Sequence, residues 1–131
     1  MQREELMVEG AAVPLSHYAD AVRAGGLLFL SGIVAVDGDG RLVGEGDVVE
    51  QARVVFASMR RVLAAAGATP ADVVKVTIFL TDVDDRPKIN PVRQEFFGET
   101  RPASTLVEIS SLAIPGAMIE VEAVAVLPRG G

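Results

Sequence analysis

The fold of this chain is restricted first by a long amphipathic segment near its middle, residues 48–66. Its apolar side chains recur at helical spacing and fall on one face, while most other positions are polar or charged. Asp47 with Glu50 three positions later forms an N-capping pair, and Gly67 stands where helices commonly end. The pattern predicts one helix that must bury its apolar face against another element. That face comprises Ala52, Val55, Phe56, Met59, Leu63 and Ala66.

Segments with the composition of β-strands lie on both sides of this helix. Residues 73–83 alternate between two faces and are rich in β-branched side chains. Residues 26–36 form an apolar run that leads into the turn-forming residues 37–40, and this pattern predicts a hairpin. The strands predicted in this way are residues 26–36, a short return strand at Leu42 and Val43, and residues 73–83, 104–110 and 118–127.

A second helical region is predicted between residues 84 and 98. Its Pro91 removes an amide donor, so the helix either restarts with Asn90 as its cap or bends there. The predicted order of elements is ββαβαββ, in one domain over residues 1–131 with residues 1–13 as a lead-in segment. Two helices on one face of a mixed sheet, an α+β fold, satisfy this order most simply.

The predicted strands carry apolar side chains on both faces, which is more than two helices can cover. The helices are expected to cover Val74, Val76, Ile78 and Leu80 of one strand and Ile119, Val121, Ala123 and Ala125 of the last. The uncovered set comprises Phe79, Val124, Val126 and either Leu27, Phe29 and Ile33 or Leu28, Leu30 and Val34. Contiguous apolar area of this size is typical of an interface, so we expect a homo-oligomer whose uncovered faces meet.

Composition excludes several kinds of site. The chain has no cysteine and one histidine, His17, which excludes disulfides, thiolate chemistry and an ordinary zinc site. A net charge of −6 repels phosphate backbones, so no nucleic-acid partner is expected. No apolar run is long enough to cross a membrane, and the N-terminal region lacks the pattern of a secretory signal. We therefore expect a cytoplasmic protein with no cofactor, no metal and no membrane contact.

Glu120 and Glu122 are the strongest candidates for chemistry. They lie two residues apart on the last predicted strand, so both carboxylates point to the same, otherwise half-apolar face. Burial there would raise the pKa of a carboxyl group and suit it to proton transfer or to holding a water. The alternative is a solvated strand face with a cation nearby, and the sequence does not decide between the two.

Other polar positions each have a structural and a functional interpretation. Ser31-Gly32 interrupts an apolar strand, either as a β-bulge or as a place where a ligand approaches the backbone. A helix cap explains Asn90, and a strand-start turn explains Ser104-Thr105, although a binding role remains open for both. No G-x-S-x-G nucleophile motif accompanies His17, which is interpreted as a loop residue.

Several short motifs, in their order and spacing, together resemble the Rid (YjgF) family of small trimeric proteins. They are Tyr18 before the first strand, Leu30-Ser31-Gly32, Ala64-Ala65-Ala66-Gly67, residues 73–83, Asn90 with Glu95-Phe96-Phe97, Arg101-Pro102-Ala103, and residues 119–123. The resemblance covers nearly the whole chain. It implies a chorismate-mutase-like fold and a homotrimer built around a barrel of sheets, with small-molecule ligands in the clefts between subunits.

The resemblance also implies an activity and a set of site residues. Family members of the RidA type hydrolyse reactive enamines and imines to keto acids and ammonia, which here implies a 2-iminobutanoate/2-iminopropanoate deaminase-like hydrolase. By this resemblance, Glu120 is the catalytic residue that positions and activates the attacking water. The substrate-binding residues that it implies are Tyr18, Ser31, Gly32, Asn90, Ser104, Thr105 and Leu106.

Three family positions do not match: Leu106 stands in place of a cysteine, Ile33 in place of a glutamine or similar residue, and Ser104 in place of an arginine. The family has an arginine after Pro-Ala that grips the substrate carboxylate in a bidentate pair, whereas this chain has Ser104 there. The resemblance is thus to an Arg-lacking subgroup, with a less cationic pocket that favours an uncharged or amide-like ligand. Three functions stay open: an imine hydrolase of shifted specificity, a non-catalytic binding or sensing trimer, and the ribonuclease activity reported for some members, which the acidic charge disfavours.

Overall fold

A computed structural model describes residues 2–128, which form a mixed sheet and two helices. The strands are β1 (Arg3–Leu6), β2 (Ala21–Ala24), β3 (Leu27–Val34), β4 (Val73–Leu80), β5 (Ala103–Glu108) and β6 (Ile119–Val126). The helices are α1 (Val48–Ala65) and α2 (Arg86–Phe97), with short 3-10 turns at Pro70–Asp72 and Val83–Asp85. The α+β architecture expected from the sequence is confirmed.

The six strands of the described residues form one sheet in the order β1-β2-β3-β6-β4-β5. Neighbouring strands are antiparallel except β4 and β5, which run parallel and are joined by α2 in a βαβ unit. The last strand of the chain, β6, lies between β3 and β4. Glu120, on β6, therefore lies in the interior of the sheet and not at its edge.

The predicted order ββαβαββ is wrong before α1, where the structure has three strands. Residues 1–13, predicted as a lead-in segment, contain β1, which pairs with β2. The strands β2 and β3 form a hairpin through Gly25 and Gly26, whose φ angles of +55° and +79° suit a type I′ turn. The strand β1 forms because the neighbouring hairpin offers it a pairing partner. The mixed composition of residues 3–6 does not by itself predict a strand.

The hairpin predicted through residues 37–40 is also wrong in extent. It reduces to one isolated bridge between Val36 and Leu42, so Leu42 and Val43 do not form a strand. Gly44, at a φ of +82°, turns the chain toward α1 directly after this bridge. The chain after Leu42 is therefore too short to form a second strand paired with β3.

Both helices form where the sequence predicts them. The Oδ1 atom of Asp47 accepts a hydrogen bond from the Glu50 amide at 3.1 Å, which confirms the N-cap of α1. The second helix, α2, runs without interruption through Pro91, so the interpretation of Asn90 as a helix cap is wrong. Because Pro91 lies only five residues after the helix start, it removes one hydrogen bond to an exposed first turn.

The two helices cover one face of the sheet and enclose the hydrophobic core. Phe56 of α1 packs against Phe96 and Phe97 of α2, with ring centroids between 4.9 and 5.9 Å apart. Buried sheet residues on this face include Leu28, Leu30, Val76, Ile78, Leu80, Ile119, Val121, Ala123 and Ala125. Neither of the described helices is both long and apolar enough to span a membrane.

Two β-bulges change which side chains face the helices. In β4, the extra residue is Val74, which is 44% exposed, while Val73 is only 2% exposed and joins the core in its place. In β3, the bulge at Ser31-Gly32 turns Ile33 toward the helices. The predicted faces of Val74 and Ile33 are therefore wrong, because a bulge shifts side-chain parity by one residue.

The opposite face of the sheet, which we call the open face, has no helix over it. Phe29 and Val126 are each 44% exposed there, and Phe79 and Val124 are partly buried. The strand β3 contributes Leu27, Phe29 and Val34 to this face. Within residues 2–128, the prediction of apolar side chains on a sheet face without helix cover is confirmed.

Candidate functional site

The β-bulge in β3 creates the contact on which the candidate site depends. Before the bulge Leu30 pairs with Ala123, and after it Ile33 pairs with Val121. The extra residue brings the backbone of Gly32 against the Glu120 side chain, so that an added Cβ at Gly32 would lie 2.8 Å from Glu120 Cδ. The interpretation of Ser31-Gly32 as a bulge is thus confirmed, and its glycine permits the close approach of the Glu120 side chain, while a role in ligand binding stays a prediction.

The carboxyl group of Glu120 lies on the open face in a partly buried position. Its cross-strand neighbours are Val34 on β3 and Phe79 on β4, both apolar. Desolvation by this burial raises the pKa of Glu120, and the nearby negative charge of Glu122 raises it further. Among residues 2–128, no Lys, Arg or His nitrogen lies within 4.0 Å of Glu120. The structure therefore favours a perturbed carboxyl group over a solvated ion pair.

Tyr18 and Ser31 lie next to this contact. The Ser31 hydroxyl donates to the Ala19 carbonyl at 2.6 Å, and the Ser31 amide donates to the Asp20 carbonyl at 3.1 Å. The Tyr18 hydroxyl accepts from the Leu15 amide at 3.2 Å. These bonds tie the loop before β2 to the bulge. Tyr18, Ser31, Gly32 and Glu120 form what we call the Glu120 half-site.

Two cavities are each lined by Tyr18 and Ser31 of the Glu120 half-site, and Glu120 itself does not line either of them. One, of about 440 Å³, is lined by Tyr18, Ser31 and Gly32 together with residues of α1. The other, of about 530 Å³, is lined by Tyr18, Ser31 and the exposed His17 on the outer side of the same loop. The loop position predicted for His17 is confirmed, and both cavities are large enough for a small metabolite.

The remaining predicted site residues lie at the opposite edge of the sheet, around β5. The Ser104 hydroxyl accepts a hydrogen bond from Arg93 Nη2 of α2 at 3.0 Å. Ser104 pairs with Val76 and Leu106 with Ile78, so both point to the helix-covered face. Asn90 is exposed in α2, one turn before Arg93 and on the same side of the helix. Asn90, Arg93, Ser104 and Leu106 form the Arg93 half-site.

Thr105 differs from its neighbours because it points to the open face. Its register partner is Thr77 on β4, and its hydroxyl accepts a hydrogen bond from Lys75 Nζ at 2.6 Å. Thr105 and Glu120 therefore share a face. On that face, the Thr105 hydroxyl already accepts a hydrogen bond from Lys75.

The two half-sites do not meet within one chain. The strand β4 separates β5 from β6, so their backbones lie two strand spacings, about 10 Å, apart. Glu120 points to the open face, whereas Ser104 and Leu106 point to the face under the helices. A single small ligand cannot contact side chains on both faces of a sheet. The structure thus divides the predicted site residues into two groups.

Arg93 is the site residue that the sequence reasoning missed. It is partly buried, and desolvation lowers the pKa of its guanidinium. The available signal was its position three residues after Asn90, which places both on one side of the helix. Its contact with Ser104 could not be inferred, because that depends on how closely α2 packs against the edge strand β5.

Almost the whole chain matches proteins of one family. The family model described as endoribonuclease L-PSP matches residues 9–127. The chain belongs to this family. The structure of YyfA from Yersinia pestis, described as a protein of the conserved Rid family, superposes with a TM-score of 0.90 at 31% identity. That alignment covers 96% of this chain and 100% of YyfA, which confirms the resemblance to the Rid family.

Two similar Rid-family proteins carry the names of enzymes. The 3-aminoacrylate deaminase RutC of Acinetobacter baylyi is 38% identical over 125 residues, covering 95% of this chain and 98% of that protein. The 2-iminobutanoate/2-iminopropanoate deaminase of Dermatophagoides farinae is 34% identical over 117 residues, covering 89% and 91%. Both names describe deamination of small nitrogen-containing acids.

Proposed function

We propose that this Rid-family chain hydrolyses small imines or enamines to carbonyl compounds and ammonia, with Glu120 as the catalytic residue. The observation that carries the proposal is the state of the Glu120 carboxyl group. It is partly buried among apolar neighbours, its pKa is raised, and it lies against Gly32 with no cation beside it in residues 2–128. The two relatives named as deaminases support the reaction class.

The proposed reaction needs one proton-transfer group and one water. Ionised Glu120 accepts a proton from the water as its oxygen bonds to the iminium carbon, and the C=N π electrons move to nitrogen. Glu120 then returns this proton to the nitrogen, which makes ammonia the leaving group. The C–N bond breaks with its electrons on nitrogen, the C=O bond forms, and the hydroxyl proton is transferred to the released ammonia. An iminium ion and water thus become a carbonyl compound and ammonium.

A raised pKa suits Glu120 to both proton transfers. A carboxyl group with an ordinary pKa is a weak base near neutral pH, whereas a raised pKa makes the carboxylate a stronger base. Burial among Val34 and Phe79 is the first cause of the shift, and Glu122 is the second. No cofactor or metal takes part in this scheme.

We further propose that the complete site forms between subunits of a homotrimer in the cytoplasm. Two features support this assembly: the Glu120 and Arg93 half-sites lie on opposite faces of one sheet, and the open face is apolar without cover in one chain. In the assembly, the open faces would pack together in a chorismate-mutase-like barrel. The small-molecule cleft would then combine the Glu120 half-site of one subunit with Asn90, Ser104, Thr105 and Leu106 of its neighbour.

The activity is tested by measuring ammonia and keto-acid release from imines generated freshly from several amino acids. Glu120→Gln is expected to lower kcat by about 100- to 10,000-fold, the usual contribution of a positioned acid–base group. Glu122→Gln is the matched control, since it makes the same change two residues away on the same face. Equal activity of the two variants would exclude Glu120 as the catalytic residue.

The same assay separates the enzyme from its alternative. A non-catalytic binding or sensing trimer would release no ammonia from any imine above the uncatalysed rate. Under that alternative, Glu120→Gln would change ligand affinity at most. Absence of turnover in the wild-type chain across the whole imine series would therefore favour the binding function.

The assembly is tested by mass in solution. A trimer has a mass of about 41 kDa, three times the 13.7 kDa of one chain. Val126→Lys places a charge on the open face and should dissociate the trimer, whereas Val83→Lys should not. Both valines are 44% exposed in one chain, but Val83 lies in a 3-10 turn outside the sheet. Light scattering that finds both variants in the wild-type state would contradict the proposed interface.

A further inference from the structure

A cavity at the C-terminal end of α2 contains two arginines. It has a volume of about 740 Å³ and is lined by Arg93, Arg101 and the loop of residues 98–102 between them. Arg93 is partly buried and reaches from this cavity to the Ser104 hydroxyl, 3.0 Å away. Ser104, at the position where the family resemblance expects an arginine, is therefore linked to this cavity through the Arg93 side chain.

The positive charge in this cavity has no counterion within 4.0 Å among the residues that the structure describes. Among residues 2–128, no carboxylate oxygen lies within 4.0 Å of the guanidinium of Arg93 or Arg101. Glu99 also lines the cavity, but it forms no ion pair with either arginine at this distance. A guanidinium has five N–H donors, and the structure shows one of them used by Arg93.

A partly desolvated cation without a partner favours an anion at that place. Burial lowers the pKa of Arg93, which reflects the loss of water around its charge, and a bound anion would offset this loss. The planar guanidinium matches a carboxylate in a bidentate pair. Ser104 fixes one side of the group by accepting a hydrogen bond, so the other N–H donors remain available for a ligand.

We propose that Arg93, held by Ser104, binds the carboxylate of the ligand and replaces the arginine that is missing from β5. The proposal rests on the proposed function, because it assigns this carboxylate to the imine substrate. It also revises the expectation from Ser104 alone, which favoured an uncharged ligand. The guanidinium comes from a helix in place of the strand, and the substrate class becomes small imino acids.

The test is a chemical-shift titration of the full chain with butanoate and, separately, with butanamide. The two probes have nearly the same size and differ in charge. Butanoate should bind at millimolar concentration and shift the Arg93 side-chain resonances, whereas butanamide should bind at least about 10-fold more weakly, because a hydrogen bond to a charged group contributes this much. Equal affinity for the two probes would overturn the proposal, and so would the absence of butanoate binding.

Variants test whether Arg93 is responsible for butanoate binding. Arg93→Gln should weaken butanoate binding by about 10- to 100-fold, and Arg93→Lys should weaken it less, since a point charge without the planar fork remains. Arg53→Gln is the control, because Arg53 is an exposed arginine of α1 outside this cavity. Butanoate affinity that is equal in Arg93→Gln and Arg53→Gln would overturn the proposal. Arg93→Lys carries the test if the Gln variant does not fold.

These measurements distinguish failure of the proposed carboxylate site from failure of the proposed hydrolase function. If butanoate binding depends on Arg93 but no imine is hydrolysed, then the carboxylate site stands and the proposed hydrolase function falls. The opposite result is that hydrolysis of imines depends on Glu120, while Arg93→Gln and Arg53→Gln bind butanoate and hydrolyse imino acids equally well. In that case the hydrolase function is supported and the carboxylate site is excluded.

Discussion

The Glu120 half-site and the Arg93 half-site are built in different ways. The first depends on the backbone: a bulge in β3 and a residue without a side chain bring Gly32 against a carboxyl group on the adjacent strand. The second depends on one long side chain, which reaches from α2 to the edge strand β5 and meets Ser104. Short sequence motifs therefore reveal a site built by the backbone more readily than a site built by side chains from separate elements.

Among variants that leave Glu120 itself unchanged, the largest expected effect on activity comes from filling the space above Gly32. In Gly32→Ala the new Cβ would lie 2.8 Å from Glu120 Cδ and would displace the carboxyl group. Gly32 does not have a positive φ, so alanine is compatible with the backbone conformation. The substitution should therefore change the position of the Glu120 side chain and not the fold. We expect kcat/KM to fall by about 100-fold, as for a catalytic group moved by 1 Å, with little change in Tm.

The control for this variant is Gly38→Ala. Gly38 also lacks a positive φ, and nothing lies within 4 Å of a Cβ added there. Steady-state kinetics and thermal unfolding of both variants provide the comparison. Similar activity in the two would show that the close contact at Gly32 does not position Glu120.

A smaller effect is expected from loosening the Arg93 half-site. Ser104→Ala removes the acceptor that holds Arg93 Nη2 but leaves the guanidinium in place. We expect KM for an imino acid to rise by about 3- to 10-fold with kcat nearly unchanged, because a positioning hydrogen bond to a charged group is lost. Ser111→Ala, at an exposed loop position, is the control. A fall in kcat with unchanged KM would instead assign Ser104 to the chemical step.

The third prediction concerns the pH dependence of the Glu120 half-site. As a general base Glu120 must be ionised, so activity should rise with pH through its raised pKa. In Glu122→Gln the neighbouring negative charge is gone, so the pKa of Glu120 falls and the acid limb of the kcat/KM profile moves to lower pH. A shift toward higher pH, or none, would exclude Glu122 as a cause of the raised pKa.

The smallest effect is a change in stability. Because the pKa of Glu120 is higher in the folded chain than in the unfolded one, folded Glu120 holds its proton over a range in which the unfolded group has lost it. Stability is therefore fully present below the unfolded pKa and decreases as pH rises through the folded pKa. Glu120→Gln, which resembles the protonated group, should melt slightly above wild type at pH 7, and this difference should disappear in acid.

A melting curve at each pH tests this sign. Glu122→Gln provides the comparison, since it also removes one negative charge from the same face. If wild type exceeds Glu120→Gln in Tm at pH 7, the Glu120 carboxylate stabilises the fold, which contradicts burial as the main cause of its shift.

Much of the fold could be predicted because its signals are local. The cap at Asp47, the amphipathic face of α1 and the alternation in β6 each depend on residues within a few positions of one another. The pair of candidate carboxylates on one face followed from the same alternation. The errors arose where local patterns have little weight, in the short strands β1 and β2 and at the bulges that exchanged Val74 for Val73.

Local sequence patterns thus sufficed to predict the helices, the main strands and the apolar side chains of the open face, and the family motifs sufficed to name Glu120 and Gly32 as candidate site residues. Only the tertiary structure decided that β6 inserts between β3 and β4, that the site residues divide between two faces, and that Arg93 lies beside Ser104. The difference arises from the separation along the chain of the residues that interact. Helix caps and strand alternation arise from interactions between near neighbours, whereas strand order, register and helix placement depend on how segments far apart in the chain share one core.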